Sequence, residues 1–282
     1  MKMKKKTEIT AVHKETTPKK KVPKSKKLLI TSIVFLVAGL CVFFYPGMAK
    51  FFTWLEQNGV IDEFNRNVEN TEKLDYPTDP ESGGDNEYSD TPLLDDKASE
   101  ENKSYDPKLL ARLYSDIVKY NKELYESGQN LLDPFCYAQE SFDLAQYSVY
   151  DYVFGTISAP SIDLNMPIYL GASDYNMWMG AAQMTGTSIP IGGKNTNAVI
   201  AGHRGVINKT MFDNIVFLNE GDSVYITNLW YKLEYKVVKT EVILPSESDK
   251  VKIQKGKDML TLITCHPYGY SDYRYVVYCE RK

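Results

Sequence analysis

Histidine and cysteine are scarce in this chain: three of one and four of the other in 282 residues. No cysteines stand as C-x-x-C and no His/Cys cluster has metal-ligand spacing, which excludes the common structural zinc sites. So few cysteines in this length also exclude a disulfide-framework miniprotein. No metal or organic cofactor is implied. Repeats of 20–50 residues are absent, so a solenoid or propeller is excluded as well. The acidic segment described below lacks the spaced ligands of a calcium loop and reads as solvated. Finally, Leu28 to Tyr45 holds no charge at all: LLITSIVFLVAGLCVFFY.

What is present is unevenly placed. The net charge of −4 hides a basic start, with 11 lysines and two glutamates in residues 1–27, and a remainder of 22 basic and 35 acidic side chains. The uncharged stretch follows the lysines directly. As a helix it is about 27 Å long, near the roughly 30 Å hydrocarbon core of a bilayer. A short basic flank before such a span stays cytoplasmic and sends the rest outward. A nucleic-acid-binding tail would not lead into an apolar run, so no nucleic-acid partner is expected. A cleaved signal peptide is the stronger competitor, since Gly47-Met48-Ala49 resembles a small-x-small cleavage site. The run exceeds the usual 7–15 residues of a signal core, which favours an uncleaved anchor.

Five regions follow: a cytoplasmic tail (1–27), an anchor (28–45), a juxtamembrane segment with an acidic linker (46–106), a helix with a lid (107–150) and a β-barrel (151–282). Between Asp75 and Asp106 lie eleven acidic residues and two lysines, with Pro, Gly and Ser throughout and nothing to build a core. Asp106-Pro107 then offers an N-cap and a first-turn proline. Leu110, Leu113, Ile117, Tyr120 and Leu124 form one helical stripe, and Gly128 suits its end. After Val153 the period becomes two. The runs VFGTI, NAVIAG, SVYIT, YKLEYKVVKTEVIL, MLTLIT and YRYVVYCE predict about eight short strands in one all-β barrel or sandwich.

Nucleophilic chemistry can be narrowed residue by residue. Cys41 lies in the apolar span, Cys136 in the irregular stretch before the strands, and Cys279 in the last strand, facing away from Arg274. Cys265 ends MLTLIT, where the chain leaves the sheet. His13 is across the membrane from it, and His266 is its neighbour and points to the opposite face of a strand. His203, after NAVIAG, remains as the base a thiol nucleophile needs. Arg274, nine residues after Cys265 on the next strand, can return beside the thiol and stabilise an oxyanion. Each also has a structural reading: a small buried hydrophobe, a turn histidine, an edge-strand arginine.

Three motifs in order carry a family resemblance. Thr261-Leu262-Ile263-Thr264-Cys265 resembles the T-L-x-T-C signature of sortases, the Gram-positive cysteine transpeptidases. His203 in Ala201-Gly202-His203-Arg204-Gly205 and Arg274 stand where that family keeps its histidine and arginine. The resemblance covers roughly residues 105–282 and implies an eight-stranded sortase-type β-barrel. It also implies Cys265 as nucleophile, His203 as acid/base, Arg274 as oxyanion or substrate stabiliser, and Thr264 near the substrate. Asp133-Pro134-Phe135 resembles the lid motif of class C, pilin-polymerising sortases, with the Asp pairing with the arginine and the aromatic ring on the cysteine. No extra helix of the class B kind fits between Lys250 and the T-L-x-T-C strand. Two departures from class C are a missing second hydrophobic segment after the barrel and His266 where many relatives have a small residue.

The resemblance implies a two-step acyl transfer. An LPxTG-like sorting signal is cleaved between Thr and Gly, and the acyl group passes to an amine, a pilin lysine or a cell-wall peptide amine. The partners expected are therefore sorting signals of pilins or surface proteins, on the extracellular face of the membrane. The alternatives are a housekeeping sortase, a hydrolytic cysteine peptidase and an anchored binding module without turnover.

Overall fold

The computed structural model describes residues 24–71, 104–129, 131, 141–207 and 209–282, and the chain divides into two compact units, residues 1–45 and 46–282. Helix α1 (Lys24–Asn70) contributes to both. Its residues from 26 to 48 are all exposed. Among the described residues this is the one helix long and apolar enough to cross a membrane, with a mean hydropathy of 2.6 over its most apolar window.

The helix continues well past the span expected at 28–45. In the second unit it becomes amphipathic. Gln57, Ile61, Phe64, Asn67 and Thr71 are buried at spacings of 4, 3, 3 and 4, one helical face. Gln57 Nε2 donates to the carbonyl of Met179 (3.4 Å) and Asn67 Nδ2 to Asp151 Oδ2 (3.2 Å). Asp151 Oδ2 also accepts from the Tyr105 hydroxyl at 2.6 Å. Burial and the Asp151 charge push that phenol well above its usual range. The Tyr105 amide donates to Thr71 Oγ1 at 3.0 Å. Thr71 and Tyr105, on either side of residues 72–103, therefore touch, and helix α1 is already packed against the body at Gln57, Phe64 and Asn67.

Helix α2 (Pro107–Ser127) has Asp106 as its N-cap, accepting from the amides of Lys108 and Leu109, and ends at Gly128 with φ of +72°. Leu110, Leu113, Tyr114 and Ile117 are buried in a cluster with Phe64, Val153, Phe154 and Ile189 on the outside of the barrel. Asn121 locks the contact: its side chain donates to the Ile189 carbonyl at 3.1 Å and accepts from the Ile189 amide at 2.8 Å.

The barrel is closed and has eight strands: β1 (Gly155–Ala159), β2 (Leu164–Leu170), β3 (Ala181–Gln183), β4 (Thr196–Ala201), β5 (Ser223–Asn228), β6 (Lys232–Ile243), β7 (Asp258–His266) and β8 (Tyr273–Arg281). Their order around it is β1-β2-β3-β4-β7-β8-β6-β5. Alternation sorts each strand into two faces. Ile200, Leu260, Leu262, Val277 and Cys279 fill the interior. Val199, Ala201, Met259, Ile263, Val276 and Tyr278 form an outer cluster with Leu131 and with Met177 of a short helix, α3 (Asp174–Met179).

Candidate active site

The site is assembled where β4, β7 and β8 end. β4 runs parallel to β7, and the last register pair is Ala201 with Ile263. One residue on, the Gly202 amide donates to the Ile263 carbonyl (3.2 Å) and Thr264 Oγ1 donates to the Gly202 carbonyl (2.6 Å). His203 and Cys265 each lie two residues beyond that last pair. β8 returns antiparallel, and its register sets Cys265 directly opposite Arg274. Directly opposed residues of an antiparallel pair project from the same face. Cys265 keeps the phase of Ile263, and Arg274 that of Val276, so both belong to the outer face.

The three residues differ in setting. Cys265 is half-buried. Arg274 is buried at 6% exposure, and its Nη1 donates to the carbonyls of Ser271 (2.7 Å) and Tyr273 (3.1 Å). Those bonds tie the guanidinium to the β7–β8 loop. His203 is half-buried, and its carbonyl accepts from the Phe212 amide at 2.9 Å. Burial holds its imidazole below the ordinary value; Lys209 pushes the same way and Asp174 opposes.

Lys209 is a participant that no motif announces. It is buried, its Nζ donates to the Trp178 carbonyl at 2.5 Å, and it lies 4.1 Å from the centre of the Trp178 ring. Burial lowers its own pKa. Asp174 stands in the first turn of α3, a helix the sequence reading passes over. The one available signal was Ser173, whose hydroxyl caps that helix by accepting from the Asn176 amide.

Other expected residues fall elsewhere. Thr264 is fully buried and its hydroxyl is committed to Gly202, so it holds two strand ends together. Cys279 is fully buried in the barrel interior, where desolvation pushes its thiol far up. Asp133, Pro134, Phe135 and Cys136 lie outside the described residues. A cavity of about 630 Å³ is lined by Glu63, Asp151, Tyr169 and Met179 among others, and its lining includes none of Cys265, His203 and Arg274.

Comparison with known proteins meets this geometry from the sequence side. A Sortase domain family model matches residues 157–282, the stretch that carries seven complete strands and all three residues. The solved structure of sortase C-1 from Actinomyces oris is 36% identical, with a TM-score of 0.56, over 62% of this chain and 99% of that one. Sortase C1 of GBS Pilus Island 1 is 30% identical, with a TM-score of 0.57, over 63% of this chain and 84% of that one. Sortase A of Bacillus anthracis is 33% identical over 125 residues, 44% of this chain. The match spans only 58% of that relative's length. With a closed barrel of eight strands, and a solved relative covered almost from end to end, the chain belongs to the sortase family.

Proposed function

We propose that the chain is a membrane-anchored cysteine transpeptidase that cleaves an LPxTG-like sorting signal between Thr and Gly and transfers the acyl group to an amine. The observation that carries this reading is the register of three strands: Cys265 opposite Arg274, with His203 at the matching end of β4. His203, held below the ordinary histidine value, is neutral near pH 7 and free to take the Cys265 proton. The thiolate attacks the Thr carbonyl carbon, and Arg274 stabilises the oxyanion. The C–N bond breaks and the imidazolium returns its proton to the leaving Gly amine. The incoming amine then attacks the thioester; His203 accepts its proton and passes it to the departing sulfur.

For the acceptor, we favour a pilin lysine. Both solved relatives above are sortases of the C type, and one is named for a pilus island. The curated relative, a Sortase A, supports the second reading, attachment to a cell-wall peptide amine. A lid formed by Asp133, Pro134 and Phe135 is consistent with its flanks. Leu131 sits in the outer-face cluster, its carbonyl accepting from Ser248 Oγ at 2.6 Å, and Ser141 Oγ donates to Gln183 Oε1 at 3.2 Å. The apolar stretch of α1 and the basic sequence before it support a single-pass anchor with the catalytic unit on the outer face of a Gram-positive cell.

The test incubates the full chain in detergent with an LPxTG peptide and, separately, a pilin lysine peptide or a cell-wall peptide amine. A ligated product is expected, and Cys265→Ala should yield none. Hydrolysis alone would indicate a peptidase, and persistent turnover in the Ala variant would overturn the mechanism.

A further inference from the structure

Beyond the last β4–β7 pair, the loop that carries His203 stays close to the end of β7 that carries Cys265, and a second set of contacts replaces the ladder. Arg204, next to His203, brings its Nη1 to 3.3 Å from Nδ1 of His266, next to Cys265. The guanidinium lies 5.5 Å from the centre of the Tyr268 ring, and Arg204 Nε donates to the Asp213 carbonyl at 3.3 Å. The His266 ring packs against Tyr275, with centroids 5.9 Å apart. One residue further, the Gly205 amide donates to Asp213 Oδ1 at 2.7 Å. Gly205 passes so near Gly269 that a Cβ on it would stand 2.6 Å from the Gly269 nitrogen.

Arginine has donors only and stays charged. The ring nitrogen facing it must therefore accept, and an imidazole that accepts at Nδ1 carries its proton on Nε2. His266 is thus engaged away from the thiol, and the departure from the family pattern at this position acquires a role. We propose that Arg204 and His266 form a positioning bridge that sets the spacing between His203 and Cys265. The inference rests on the transpeptidase reading above. Each bridge residue is bonded to one of the reacting residues, about 3.8 Å away along the backbone. A shift of the bridge is passed on directly, and a misplacement of about 1 Å can cost on the order of a hundredfold in rate.

The experiment compares the full chain with His266→Ala, His266→Asn, Arg204→Ala and the double Ala variant, in detergent, with LPxTG peptide and amine. Asparagine keeps an acceptor oxygen near the place of Nδ1; alanine keeps none. His266→Ala is expected to lower kcat by about tenfold or more with KM little changed. His266→Asn should recover to within about threefold, and the double variant should be no worse than the poorer single one, since both lose the same contact. Wild-type kcat in His266→Ala, an Asn variant as impaired as the Ala variant, or two independent losses that multiply would each overturn the bridge. If the unmodified chain makes no ligated product, the transpeptidase reading fails instead. The bridge is then decided by ring 15N spectra: an Nε2–H tautomer of His266 that is lost in Arg204→Ala supports it, and an unchanged ring refutes it.

Discussion

Two sides of the site are held by different means. Cys265 and Arg274 lie on β7 and β8, paired without interruption from Met259–Glu280 to His266–Tyr273. Moving either residue relative to the other requires slipping a ladder, which would carry Ile263 and Val276 out of their cluster. His203 has no such support. Its strand stops pairing at Ala201, and the loop beyond is shaped by individual contacts: the Phe212 amide on its carbonyl, Lys209 on Trp178 and Arg204 on His266. Cys265 and Arg274 are placed by backbone register, His203 by individual contacts. The electrostatic tuning is also on the second side, where Lys209 and Asp174 act on the imidazole in opposite directions.

The largest expected effect breaks the ladder side chemically without moving it. Arg274→Ala should lower kcat by about a hundredfold or more, the usual cost of losing an oxyanion donor, while β7 and β8 stay paired. Arg274→Lys should recover only part, because an ammonium lacks the planar fork. Steady-state kinetics with an LPxTG peptide would read both, and a near-normal Arg274→Ala would remove Arg274 from the mechanism. Gly205→Ala breaks the contact side. At φ of +86°, with the Gly269 backbone in the way of a Cβ, alanine forces the two loops apart. We expect kcat to drop by about tenfold, with the barrel still folded by circular dichroism.

A smaller effect sharpens the electrostatic half of the comparison. Lys209→Met removes a cation that repels the imidazolium, so the His203 titration midpoint should rise. Asp174→Asn removes an attracting carboxylate, so it should fall. NMR titration of the ring would show opposite displacements, and shifts of the same sign would discard this account. The smallest effect should come from a segment that belongs to neither side. Replacing residues 76–102 with a short Gly-Ser linker should leave kcat and thermal stability unchanged, because Thr71 and Tyr105 already meet. A marked loss would show that the acidic segment does more than close a loop.

Much of this was legible in advance where a local rule operates. Asp106, Pro107 and Gly128 mark α2 because capping is a local matter, and the structure uses Asp106 and Gly128 as its caps. The long strands announce themselves by composition. β2 does not, since Pro167 stands inside it. β3 has three residues, too few for any pattern. The buried face of α1 was hidden because Gln57, Asn67 and Thr71 are polar residues whose partners lie elsewhere in the chain, such as Met179, Asp151 and Tyr105. Lys209 and Asp174 were invisible for the same reason: a charge gains meaning from its neighbours in space.

Alone, the sequence determined the uncharged span, the basic flank, the strand-rich body and which cysteine ends a strand beside a loop. Those are properties of short windows, where spacing and composition suffice. Only the tertiary structure decided which residue stands opposite Cys265, that Tyr105 meets Thr71, and that His266 faces Arg204. Each depends on bringing together residues far apart along the chain, from nine positions for Cys265 and Arg274 to sixty-two for Arg204 and His266. No local preference encodes such a pairing; the packing of the folded chain does.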